Sequence, residues 1–253
     1  MNILRKQILG AAAFGILSFL VALILSWVFL APQNFWYGLW HDHTSIGAAI
    51  DKYGPQNRYI PGFAETTREQ RARAFAEINK AIHRGGEGLA DISFDTQSFG
   101  RQKLLREPEI AHLQDVADLI SLLKFLVLIV IVCWLIIVIR GFKRRRLPSI
   151  KQQFWGTTVF VIISASIVFL IGPKKVFNTL HIWVFPKENA WFFYYQDSLM
   201  STLMEAPYLF GWIAAALLFW ALIFYFVLQL FTYSIVNSTA LRAWLAARRQ
   251  KRS

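Results

Sequence analysis

The chain has 253 residues, of which 56% are apolar and only 17% charged, with 22 Phe and 10 Trp. Typical soluble domains carry about 25% charged residues, so water is not the only solvent this chain is built for. The net charge of +12 invites a nucleic-acid reading, but no recognition motif accompanies it and the position of the charge argues otherwise.

In chain order, the first apolar run covers 8–31, behind Arg5 and Lys6. It is longer than a secretory h-region, and Trp27-Val-Phe-Leu-Ala31-Pro32 is a poor cleavage site, so it reads as an uncleaved anchor. Residues 32–118 form a long polar segment. It opens on the aromatic stretch Phe35 to Trp40, and a Gly/Pro-punctuated loop is expected through Gly62. Thr66-Thr-Arg-Glu69 is a capping-box pattern, predicting a helix to about His83 with Ala72, Phe75, Ala76, Ile78, Ala81 and Ile82 on one stripe. Gly85-Gly86 ends it, and Leu89 to Phe94 is expected to be extended. A further helix starts at Glu107, with Pro108 in its first turn, and runs into the second apolar run, 119–139. A basic loop follows, then a third run at 154–172. The aromatic segment 173–207 and the fourth run, 208–231, complete the pattern.

Each run supplies roughly the 20 residues that a bilayer core requires of a helix. Arg5, Lys6, Arg140, Lys143 to Arg146, Lys151, Arg242, Arg248, Arg249, Lys251 and Arg252 flank the runs on one side, with no acid among them. The positive-inside rule then puts both termini in the cytoplasm, and the cationic segments are explained by topology and anionic lipid. The expected fold is an all-α integral membrane protein of four transmembrane helices, one membrane domain over 1–253. An α-rich extracytoplasmic segment separates spans one and two, and an aromatic interfacial loop separates spans three and four.

The only cysteine, Cys133, lies in the second apolar run; an internal disulfide is excluded, and a thiolate in lipid is disfavoured. The polar cluster Glu109-Ile-Ala-His112-Leu-Gln-Asp115-Val-Ala-Asp118 stands just before that run. At helical spacing His112 neighbours both Glu109 and Asp115, and a carboxylate beside imidazole suits general acid–base chemistry. The competing reading is a solvated helix end rich in acids. His181 sits in the nearly uncharged stretch Phe177 to Phe185, at the end of span three, where an ionisable ring needs a partner or a wet pocket. Lys124, inside span two, can snorkel outward or pair with a substrate group. His41-Asp42-His43 has ligand-type residues but no third ligand at fixed spacing, so no metal and no cofactor is expected.

Around these two histidines the chain resembles the bacterial lipoprotein intramolecular transacylases, the Lit family. The carrying residues are Glu109-Ile-x-His112-Leu-x-Asp115-Val and His181-x-x-x-Phe185 … Trp191 … Asp197-x-Leu199 … Pro207-x-x-Phe210. It departs from the family pattern at Leu180, where a Phe is usual, and at Tyr195-Gln196, where a Pro usually stands close before the acid. The resemblance implies a bacterial inner-membrane enzyme with an outward-facing site and a lipidated lipoprotein as substrate. Its reaction moves the sn-2 acyl chain of a diacylglyceryl lipoprotein onto the α-amino group of the terminal cysteine. It implies His112, His181, Glu109 and Asp115 as catalytic residues and Trp191, Asp197 and Phe185 as substrate-binding ones, among membrane lipids; Lys124 joins the substrate-binding set on its position in span two. A non-catalytic lipoprotein-handling protein and an interfacial lipid hydrolase are the alternatives.

Overall fold

The computed structural model describes residues 2–186 and 188–239; the basic tail from Arg242 to Arg252 lies outside the described residues. Helices α1 (Asn2–Leu30), α2 (Tyr37–His43), α3 (Ile46–Tyr53) and α4 (Arg68–His83) are followed by the strands β1 (Ser93–Thr96) and β2 (Gly100–Lys103). Then come α5 (Glu107–Arg144), α6 (Ile150–Ile171), α7 (Pro173–Val184), α8 (Leu199–Met204) and α9 (Tyr208–Asn237). Among the described residues four helices are long and apolar enough to cross a membrane, and they match the four expected runs, the third ending at Ile171. Phe169 and Leu170 of α6 are each 82% exposed, an arrangement suited to hydrocarbon rather than water.

The chain divides into two compact units. One comprises residues 1–27, 126–167 and 217–253, the other 28–125 and 168–216. In the first, Phe19 and Ala22 of α1 pack with Ala221 and Tyr225 of α9, and Phe14 and Val21 pack with Trp134 of α5. Polar groups inside it are paired across helices: Trp134 Nε1 donates to Ser18 Oγ (3.1 Å), and Thr157 meets the Tyr225 hydroxyl (3.1 Å). Glycine lets α1 and α6 approach closely. A Cβ on Gly15 would lie 2.6 Å from the Gln153 carbonyl oxygen, and one on Gly156 would lie 2.5 Å from Ala12 Cβ. Such small-residue crossings are how helices associate where no hydrophobic effect separates them from lipid.

The second unit carries the polar chemistry. Tyr37 stacks on Phe75 (ring centroids 4.4 Å apart) and donates to the Leu203 carbonyl (2.8 Å), joining α2 to α4 and α8. The α4 amino end is a capping box, but one residue later than the sequence pattern suggested. Thr67 is the N-cap, and its partner is Gln70, not Glu69. The buried face of α4 holds Ala74, Phe75, Ile78 and Ala81, while Ala72, Ala76 and Ile82 are only half-buried. Arg71 and Asn79 are buried with them because each is bonded, Arg71 to Asp51 (2.7 Å) and Asn79 to the Ala31 carbonyl (2.8 Å).

Three other expectations need correction. The loop expected through Gly62 contains α2 and α3, whose short lengths are stabilised by packing rather than by periodicity. Leu89–Asp91 is a 3-10 turn, not extended, and the strand that follows pairs antiparallel with β2, Phe94 facing Gln102. Span three also stops short of His181. Gly172, at φ +91°, and Pro173 break the chain between α6 and α7, so His181 rides on a separate twelve-residue helix.

The α1–α6 crossing can be tested by thermal unfolding in detergent micelles. Gly15→Ala forces a methyl against backbone and is expected to cost about 1–3 kcal/mol, lowering the midpoint by several degrees. Gly10→Ala, whose Cβ meets nothing within 4 Å, is expected to leave the midpoint unchanged or raise it.

Candidate active site

The first turns of α5, up to Asp118, precede the apolar run that begins at Leu119. Arg106 caps this helix: its carbonyl accepts the amides of Glu109 and Ile110 (3.0 Å each), and its own amide donates to Glu109 Oε2 (2.9 Å). Glu109 is fully buried. Its second oxygen, Oε1, accepts the Ser198 hydroxyl (2.6 Å) and the Met200 amide (3.3 Å). Ser198 is in turn the N-cap of α8, accepting from the Ser201 amide (2.9 Å). One carboxylate therefore serves the amino ends of two helices, where the backbone dipoles favour negative charge. Burial still pushes its pKa up, and the Ser198, Arg106 and Met200 donors offset that only in part. Glu109 does not bond His112, so the expected pairing of these two neighbours is not formed.

His112, one turn on, is buried (7% exposed). Its ring meets Phe185 edge to face at 5.0 Å, His181 at 5.9 Å and Phe193 at 6.3 Å. Among the described residues its Nδ1 is buried and without a hydrogen-bond partner. Burial, reinforced by the neighbouring His181, pulls its pKa down to about 4 against the opposing influence of Asp115. His181 is half-buried, with Phe177 at 4.0 Å, Phe185 at 5.1 Å and Trp191 at 5.1 Å around its ring. Burial lowers its pKa too, against the Phe177 carbonyl, which bonds Nδ1 at 2.8 Å. A carbonyl can only accept, so Nδ1 carries the proton and Nε2 carries the lone pair of the neutral ring.

The structure thus brings His112, His181, Phe185 and Trp191 together. Asp115 stands beside them and accepts from Asn189 Nδ2 (2.7 Å). Asp197 is engaged elsewhere: it accepts from Arg58 Nε (2.6 Å), whose backbone amide bonds the Gln196 carbonyl (2.9 Å). Lys124 is apart from the histidines and donates to the His83 carbonyl at the end of α4 (2.9 Å). His41 is bonded to Asp42 (2.8 Å), and Asp42 is held by Arg68; among the described residues no group of three ligand-type side chains converges. A cavity of about 360 Å³ opens beside the pair, lined by Ile182, Phe185, Pro186, Asn189, Ala190, Trp191 and Phe192. Sequence reading missed Ser198, Asn189 and Phe193. Ser198 carried a local signal, since Ser before Leu-Met-Ser-Thr is a good N-cap; Asn189 and Phe193 carried none.

These residues fall within a segment, 90–208, that matches the family model "Lipoprotein intramolecular transacylase Lit". The match to the Lit family covers 119 of the 253 residues. The matched family is one of lipoprotein intramolecular transacylases, which are acyltransferases. Its fold is similar to that of the membrane-integral Lit from Bacillus cereus, solved in meso as a histidine-to-arginine variant, with a TM-score of 0.60 and 15% identity over 93% of each chain. Comparison with curated proteins gives no match.

Two outcomes are expected of this site. Ser198→Ala strips both a cap and a donor to a buried carboxylate, and should cost about 1–3 kcal/mol in unfolding experiments. His112 ties stability to pH. Between about pH 4 and 6.5 the unfolded ring binds a proton that the folded ring refuses, so stability rises with pH across that window by up to about 1.4 kcal/mol per unit. His112→Gln should flatten that slope in unfolding midpoints measured from pH 4 to 7.

Proposed function

We propose that this chain moves the sn-2 acyl chain of a diacylglyceryl lipoprotein onto the α-amino group of the same lipoprotein's terminal cysteine, using His112 and His181 for the proton transfers. The observation that carries the reading is the convergence of two neutral imidazoles, ring centroids 5.9 Å apart, within walls of Phe185, Phe193 and Trp191. In the reaction a bond forms between the amine nitrogen and the acyl carbon, and the ester bond from that carbon to the sn-2 oxygen breaks. The amine gives up a proton and the glycerol oxygen gains one, so no water and no covalent enzyme intermediate is required.

His181 suits the base role, because the Phe177 carbonyl leaves its Nε2 lone pair free to accept the amine proton. His112, its basicity lowered by burial, suits donation, polarising the ester carbonyl through an N–H in a poorly solvated setting. Amine and ester belong to one substrate, and holding them together supplies much of the rate through proximity. Glu109 and Asp115 act by position: Glu109 fixes the helix start that presents His112, and Asp115 biases that ring electrostatically. Phe185 and Trp191 border the cavity for an acyl or glyceryl group. Asp197 and Lys124 hold backbone and neighbouring side chains in place rather than touching substrate. The site faces outward from a bacterial inner membrane, with both termini cytoplasmic, a reading supported by the basic residues Arg140 to Lys151.

Single His112→Ala and His181→Ala variants are expected to lower the rate of N-acylation by about 10²–10⁴-fold, read by mass spectrometry of the lipoprotein amino terminus. Full conversion by both variants would remove the histidines from the chemistry. Free fatty acid in place of an N-terminal amide would assign hydrolysis instead.

A further inference from the structure

Segment 190–194 is held at both ends and open in the middle. Before it, Asn189 bonds Asp115. After it, Arg58 bonds the Gln196 carbonyl and the Asp197 side chain, and Ser198 bonds Glu109. Between these anchors the side chains alternate as on a strand. Trp191 and Phe193 are half-buried, with Trp191 against His181 and Phe193 against His112. Phe192 and Tyr194 are exposed, and their rings meet each other edge to face at 5.4 Å. That is period-two geometry. Yet among the described residues no backbone amide or carbonyl of Ala190–Phe193 takes part in a hydrogen bond. An edge whose backbone groups have no partner within the chain is a template for a second strand.

We infer that Ala190–Phe193 is the docking edge for the peptide that follows the lipidated cysteine, which adds to it as an extended strand. This rests on the transacylase reading above, and the family's lipoprotein substrate supplies the occupant. The inward rings of the edge lie on the two histidines, so a peptide paired there has its first residue beside them. The cavity bounded by Phe185, Trp191 and Phe192 lies at the same end. Main-chain pairing reads no side chains, so one edge accepts peptides of many sequences. The anchors at Asn189 and Arg58 hold the edge ready, which lowers the ordering cost of binding.

The probe is a synthetic dialkylglyceryl-cysteinyl pentapeptide in which an ether replaces the sn-2 ester, so that it binds without reacting. Its dissociation constant is measured on the full chain in nanodiscs, alongside four analogues bearing one N-methyl group each, at peptide residues two to five. Strand addition puts alternate amides on the edge. Methylation at every second residue is expected to weaken binding tenfold or more, and methylation at the others less than threefold. A series without that alternation, or no binding of the parent probe, overturns the inference. The outcome is separable from the chemistry. N-acylation of the ester-linked parent peptide with a flat methyl series leaves the transacylase reading standing and removes the edge. Alternation with free fatty acid as the product does the reverse.

Discussion

The geometry of the second unit hangs on one carboxylate. Glu109 is fully buried, yet it accepts from the cap of its own helix, α5, and from the cap and first turn of α8, ninety residues later in the chain. A buried anion without partners would be costly; three donors at two helix starts lower that cost. The same bonds fix the rotation of α5, and so the direction in which His112 points. They also anchor one end of the aromatic segment whose rings close over the histidines. A glutamate hydrogen-bonded to neither imidazole thereby sets their surroundings.

Around that anchor the imidazoles are enclosed by rings, not by charges. His112 meets Phe185 and Phe193, while His181 meets Phe177, Phe185 and Trp191. The charged side chains nearby are committed to bracing. Arg58 and Asp197 hold the loop, Arg106 lies over the Tyr59 ring at 4.2 Å, and Asp115 takes the Asn189 amide. This division suits an acyl transfer between two groups of one lipid-bearing molecule, in which protons move but no net charge has to be stored.

Much of this was legible in the sequence, and what was not has physical reasons. The four apolar runs and the helix start at Glu107–Pro108 are set by local chemistry, and they are where the pattern placed them. The capping box slid by one residue because Thr66 and Thr67 are adjacent candidates; Thr66 instead bonds the Phe63 carbonyl and Arg71. Strand β2, Gly-Arg-Gln-Lys, has no apolar alternation to announce it. His112 and His181 could be paired only by supposing that their helices meet. The partner of Glu109 was unreadable for a plainer reason: at helical spacing His112 is the obvious neighbour, and nothing local reveals that a serine from α8 occupies the carboxylate instead.

A pair of rings held neutral by their packing has a consequence for the lipids around it. A leaflet rich in anionic headgroups has a negative surface potential, which concentrates protons and lowers the local pH. An ordinary histidine with a pKa of about 6.5 would change its charge under that influence. His112, pulled down to about 4 by burial, stays uncharged whether the surrounding leaflet is zwitterionic or strongly anionic. The same packing that lowers its basicity makes the charge of this ring insensitive to that local acidity.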